Sequence, residues 1–280
     1  MNYRDVLLAL TTYPDATPAA AADDAVDFAA AIGARISAIA CEVKFRVPGQ
    51  VFGKALIDIP AMAASESKRS ADNAEKLLVA FQHAAEKRDV FQDRILERCL
   101  ISEVGDVLVE YARLRDLTIV PTPGAESADP GFAQSIIFGS GRPTLITPAA
   151  RKRPFALDTV VVAWDFSRPA ARAVADALPL LEKAKRVFIV TVVNEKVIDT
   201  RRSGTELAKH LARHNIEVVL DQVDAAGRNI GTVLEAAIAS HNADLMVMGA
   251  YGHSRVRDFI LGGATRSMLS HPPVPIFLSH

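Results

Sequence analysis

The stretch from Thr159 to Leu181 reads TVVVAWDFSRPAARAVADALPLL. Val160, Val161 and Val162 form an unbroken β-branched apolar run, the pattern of a strand buried on both faces. A turn follows through Ala163 to Ser167, AWDFS. Ser167 is a residue type that caps helices, and Pro169 falls where proline suits a first helical turn. A buried strand leading directly into a helix predicts a parallel α/β sheet with right-handed crossovers.

The same order recurs at the N-terminus. VLLAL from Val6 reads as a strand, Thr11 to Asp15 as a turn, and Thr17-Pro18 as the opening of an alanine-rich helix ending near Gly33, before a strand ARISAIA. Downstream, Gly105-Asp106-Val107-Leu108 begins a helical pattern that ends before DLTIVP, and Gly231-Thr232-Val233-Leu234 begins one that ends before DLMVMG. Each half closes with a proline-bearing turn and a short apolar strand, RPTLITP near Arg142 and PPVPIFL near Pro272. Two diverged copies of one unit explain the pattern better than a single wound sheet. The expected domains are 1–150 and 159–280, joined through the basic, proline-containing stretch Arg151 to Asp158. The first copy carries an insertion, KFRVPGQVFGKALIDIPAMAASES, whose prolines and glycines indicate a loop or short irregular elements ahead of a helix holding Leu77, Leu78, Phe81 and Ala84.

The strongest local chemical signal is MGAYGHSRVRDFILGGATRSML from Met248. Gly249 and Gly252 follow a strand, and Gly262 and Gly263 precede a helical stretch. Glycines let backbone approach a ligand closely, and a helix start presents unpaired N–H groups to phosphate. Thr265 adds a hydroxyl, while Asp165 falls at the same carboxyl edge, where open α/β sheets bind ligands. Turn formation alone is the competing explanation of these glycines. The spacing is neither the dinucleotide fingerprint nor a Walker motif with its lysine.

Gly249-x2-Gly252-x9-Gly262, with the AWDFS turn and the final PVPIFL strand, resembles the nucleotide-binding signature of the universal stress protein family in its tandem-domain form. The resemblance covers residues 159–280 and, more weakly, 1–150. It implies two tandem Rossmann-like (adenine nucleotide alpha hydrolase-like) α/β domains, each an open parallel five-stranded sheet with flanking helices, and ATP as the ligand. By the same resemblance Ala163 and Asp165 lie at the adenosine end, with Asp165 as its contact, and Val192 lines the adenine. Gly249, Gly252, His253, Gly262, Gly263, Ala264 and Thr265 surround the phosphates. The family position usually held by serine or threonine is Gly263 here, a change worth about 1 kcal/mol at one phosphate contact. Magnesium would arrive with ATP, held by its phosphates and water. The first copy departs further, with Thr11 in the place of Asp165 and Pro121 in the place of Gly249. Proline has no N–H to offer, so the 1–150 domain is expected to be degenerate.

No pair of carboxylates is placed for acid–base work, and His253 reads as a loop or phosphate-contacting residue rather than a catalyst. His271 reads as part of the last turn, and Trp164 as packing between strand and helix rather than an adenine stacker. The expectation is a non-catalytic, ATP-binding stress-response protein with a signalling or regulatory role. A nucleotide-free interaction scaffold and a slow ATP hydrolase are the alternatives. Lys and Arg number 32 against 33 Asp and Glu in 280 residues, which disfavours bulk nucleic acid as a partner. No apolar run is long enough for a membrane span. Cys41 and Cys99 sit in apolar stretches without metal-ligand spacing and read as buried core thiols of a cytoplasmic protein. An adenine nucleotide and an unidentified protein are the expected partners. The apolar last strand could remain a sheet edge that pairs with another copy; the family resemblance implies that such last strands pair, here the two halves as an intramolecular pseudo-dimer, with a homodimer left open.

Overall fold

In a computed structural model the described residues are 2–46, 58–122, 131–149, 155–193, 200–250, 268–269 and 271–280. The first half runs β1 (Asp5–Leu10), α1 (Ala19–Ile32), β2 (Arg35–Lys44), α2 (Ile59–Lys87), β3 (Phe91–Leu100), α3 (Val104–Arg113), β4 (Leu117–Pro121), α4 (Gly131–Gly139) and β5 (Thr144–Thr147). The second runs β6 (Thr159–Ala163), α5 (Arg168–Leu181), β7 (Arg186–Val193), α6 (Thr200–Ala212), β8 (Val218–Asp224), α7 (Ile230–His241), β9 (Leu245–Gly249) and β10 (Ile276–Ser279).

Local chemistry sets the element ends. The Ser167 hydroxyl accepts the Ala170 N–H at 3.2 Å, capping α5 as its sequence implies. Gly33 ends α1 in the left-handed conformation, φ 76°, and receives no Cβ penalty there. Thr17 does not cap α1; its hydroxyl accepts the Thr11 N–H at 2.9 Å and closes the preceding turn instead. The insertion differs from expectation as well. Its second part, from Ile59, is helical and belongs to α2, because Asp58 accepts the Ala61 N–H at 3.0 Å and Pro60 sits in the first turn ahead of an alanine-rich run. Residues 47–57 of the insertion lie outside the described ones.

The strands among the described residues form one ten-stranded sheet in the order β3-β2-β1-β4-β5-β10-β9-β6-β7-β8. Within each half every pairing is parallel, while the seam between β5 and β10 is antiparallel, with Phe277 opposite Leu145. Two five-stranded parallel sheets are thus fused edge to edge by their last strands. One apolar layer holds the sheet against α1, α2, α5 and α6, and the other against α3, α4 and α7. Because the seam is antiparallel, the carboxyl ends of the two parallel sheets point to opposite ends of the molecule.

A matched pair of aspartates shows how closely the halves repeat. Asp116 Oδ2 accepts the N–H groups of Arg4 and Asp5 at 2.9 and 3.1 Å. Asp244 Oδ2 accepts those of Asp158 and Thr159 at 3.1 and 2.9 Å. Each locks the start of a central strand to the strand beside it. The Asp-Leu pairs of DLTIVP and DLMVMG are the sequence trace of this device.

Candidate functional site

The strand order reverses direction between β6 and β9, which makes the carboxyl ends of these strands the topological switch point, the place where open α/β sheets take ligands. Asp165 stands there. The β6 ladder continues one residue past the strand, with Trp164 N donating to the Val190 carbonyl at 2.9 Å. Asp165 then accepts the Ser167 N–H on Oδ1 at 3.0 Å, which fixes its carboxylate over the start of α5. Between them Phe166 has φ 62°, a left-handed conformation unusual for an aromatic residue, and its ring is 65% exposed. The sequence reading did not single out Phe166; the sharp strand-to-helix turn was its only trace. Ala163, paired with Val190, and Val192, paired with Val223, are half-buried and pack toward the α3/α4/α7 layer. Asp165, Ala163 and Val192 are thus brought to one edge of the sheet.

Gly249 ends β9 at the same edge, and its packing explains its identity. A Cβ at this position would stand 2.4 Å from the Ala170 nitrogen and 2.6 Å from the Pro169 carbonyl carbon. Both are backbone atoms at the start of α5, which cannot swing aside as a side-chain tip can. The absent side chain therefore lets the capped end of α5 sit directly on the end of β9. Gly252, His253, Gly262, Gly263, Ala264 and Thr265 lie outside the described residues.

At the opposite end of the molecule the equivalent edge of the first half is occupied by the protein itself. The registers Asp5 with Arg35 and Thr159 with Arg186 place Cys41 where the second half has Val192, and Thr11 where it has Asp165. Thr11 is tied to Thr17, hydroxyl to hydroxyl, at 2.8 Å. The Thr12 hydroxyl donates to the Cys41 carbonyl at 2.6 Å and contacts the Ser70 hydroxyl at 2.8 Å, while Ser70 Oγ accepts the Val43 N–H at 2.9 Å. Asn73 donates to the Thr12 carbonyl at 3.1 Å. Arg69 donates to the Pro14 carbonyl at 2.9 Å and lies 5.5 Å from the Tyr13 ring centre. Side chains of α2 therefore engage the Thr12 hydroxyl and carbonyl, the Val43 N–H and the Pro14 carbonyl at this edge. Pro121, where the second half has Gly249, is a buried member of β4 opposite Thr147; Gly124, which by the family resemblance matches Gly252, lies outside the described residues.

Trp164 is 7% exposed and belongs to the α1/α2/α5/α6 core, as a packing residue should. Cys41 and Cys99 are free and buried on one face of β2 and β3, and burial raises both thiols above their ordinary pKa. His271 is exposed. Among the described residues no group of His, Cys, Asp and Glu is arranged to hold a metal, and no helix is long and apolar enough to cross a membrane.

Residues 156–280 match the family model of the Universal stress protein family. Among solved structures, a universal stress protein from Archaeoglobus fulgidus DSM 4304 is similar over 98% of this chain and 97% of its own, with a TM-score of 0.72 and 18% identity. A functionally unknown protein from Pseudomonas aeruginosa PAO1 is similar over 99% of this chain and 92% of its own, with a TM-score of 0.55 and 13% identity. At these identities the likeness is one of fold, and it extends over both halves. No curated protein matches the chain.

Proposed function

Since residues 156–280 match the family model of the Universal stress protein family, we infer that the chain binds ATP at the carboxyl ends of β6 and β9 and serves a non-catalytic, regulatory role in a stress response. The observation that carries this reading is the placement of Asp165. Its carboxylate is oriented by Ser167 N–H at the topological switch point, beside the capped start of α5 and the half-buried Ala163 and Val192. An apolar wall beside one fixed acceptor suits a nucleoside, with Asp165 accepting from its adenosine part and Val192 against the base. The glycine-rich stretch from Gly249, including Gly252, His253, Gly262, Gly263, Ala264 and Thr265, would supply backbone N–H groups to the phosphates. Magnesium would come with the nucleotide. Domains 1–150 and 159–280 then differ in role: the first, with its edge filled by α2, gives up the site, and the second keeps it.

Calorimetric titration with ATP is expected to give one site per chain, and Asp165→Ala is expected to weaken it by about 1–3 kcal/mol. An absence of binding at millimolar ATP, or an Asp165→Ala variant with unchanged affinity, overturns the reading. One observation favours a nucleotide-free scaffold instead: Gly249 is fully explained by the seat of α5 and requires no ligand. Mass spectrometry of material released from the denatured purified protein separates the two readings, since co-purifying ATP or AMP contradicts the scaffold. Both readings keep the protein in a reducing compartment, which the two free, buried thiols favour.

A further inference from the structure

Helix α5 begins at the candidate site, and its far side is gripped by the other half of the chain. Tyr3, ahead of β1 in the first half, donates its hydroxyl to the main-chain carbonyl of Asp176 in α5, and its ring lies 6.3 Å from that of Phe277 in β10. The Asp176 carboxylate accepts from the Ser279 hydroxyl at 2.9 Å and from Arg172 Nε at 2.7 Å. Ser279 is in turn the residue paired with Gly249 across β9 and β10. Tyr3, Asp176, Ser279, Gly249 and Ala170 thus form one connected path. It runs from the first half through α5 and the last strand, and returns to the capped helix start beside Asp165.

The grip falls where α5 is weakest. Pro179 has no N–H, so the helical bond to the Ala175 carbonyl cannot form, one rung from the carbonyl that Tyr3 holds. Burial and the neighbouring Asp176 carboxylate raise the Tyr3 phenol far above its ordinary pKa, so it stays a donor wherever the protein is folded. In the other direction Lys183, just past α5, donates to the Ile32 carbonyl at the end of α1 at 2.8 Å, and an aromatic contact also crosses. Phe155, ahead of β6, packs edge-on against Phe28 of α1 with ring centres 4.9 Å apart, on the half whose site is filled by α2. The hydroxyl-to-carbonyl clasp from Tyr3 falls on the helix that opens at Asp165.

We propose that the N-terminal half holds α5 in its binding position through the Tyr3–Asp176–Ser279 clasp, which makes Tyr3 a positioning residue for the site in the second half. The proposal rests on the ATP-binding reading for its functional consequence, but the clasp itself can be measured without ligand. Tyr3→Phe keeps the ring and removes the donor. In the full chain it is expected to weaken ATP affinity about fivefold and to speed hydrogen exchange in the first two turns of α5. Phe155→Leu is the matched control: it loosens the opposite crossing and is expected to lower the melting temperature while leaving ATP affinity and α5 exchange unchanged. The proposal is overturned if Tyr3→Phe leaves α5 exchange at the wild-type level, or if both variants alter affinity equally. Should wild-type protein fail to bind ATP, the binding reading falls, and the exchange comparison alone decides whether the clasp orders α5.

Discussion

Replacing Gly249 by alanine adds one methyl group at the point where a ligand-binding role and a packing role make different forecasts. The new Cβ would begin 2.4 Å from the Ala170 nitrogen and 2.6 Å from the Pro169 carbonyl carbon, whereas ordinary contact begins near 3.4 Å. The start of α5 must therefore retreat by about 1 Å, in an interior packed as densely as a molecular crystal. Gly249 has an ordinary backbone conformation, so no left-handed strain adds to the effect. Overpacking of this kind costs roughly 1–3 kcal/mol, and contact with backbone rather than a side chain favours the upper end. Urea denaturation of the ligand-free protein measures it through the midpoint at constant m-value. A Gly249→Ala protein within about 0.5 kcal/mol of wild type refutes the packing account and leaves phosphate approach as the reason for the glycine. A loss of the expected size without ligand shows that the residue is required by the fold before any nucleotide arrives.

Phe166 offers a test of backbone strain at the neighbouring turn. With φ at 62°, Phe166→Val puts a β-branched residue where it fits worst, and it should be about 1–2 kcal/mol less stable than Phe166→Gly; equal midpoints in urea would contradict the assigned turn. Glu42 provides a pH dependence. Hydrogen bonds from Lys44 and Arg98 hold its carboxyl below the ordinary glutamate pKa. Its stabilisation is therefore complete above about pH 4.3, the unfolded value, and disappears as pH falls through the lower folded value. Glu42→Gln should flatten the acid limb of a stability–pH curve, and a limb as steep as wild type's would count against the pairing.

The repeat was legible because each half spends its sequence on the same physical tasks. Apolar β-branched runs make the buried strands, and Asp116 and Asp244 recur because each must satisfy two N–H groups at the entry to a central strand. The capping of α5 by Ser167 was equally local, whereas pairing of the halves through their last strands was implied only by the family resemblance, and the antiparallel direction of that seam could not be read from the sequence. What could not be read was non-local. Thr17 has the composition of a cap, yet its hydroxyl serves Thr11. The insertion looked like loop because proline and glycine dominate its first part, while Asp58 and Pro60 start a long helix in its second. The filling of the first site depends on Ser70 meeting Thr12 across 58 residues of chain. The place of Asp165 at the carboxyl edge was legible because it directly follows the strand VVVA. Gly249 was found for its glycine, although the neighbour that demands glycine there is a helix start far away in sequence.

The antiparallel seam limits how the two halves can influence one another. It sends their carboxyl edges to opposite ends of the sheet, so a ligand at Asp165 cannot touch the edge filled by Ser70, Asn73 and Arg69. Besides the β5–β10 seam, the described contacts between the halves include the layer where α1 and α5 carry crossings. There the contacts are exchanged unequally: Lys183 donates to the Ile32 carbonyl at the end of α1 at 2.8 Å, while Tyr3 holds the middle of α5. A helix held near its middle can transmit a small rotation to its start, whereas one held at its last carbonyl is fixed far from its own strand edge. If the second half binds a nucleotide at Asp165, the first half, its own edge engaged by α2, is placed to support α5 rather than to repeat that edge.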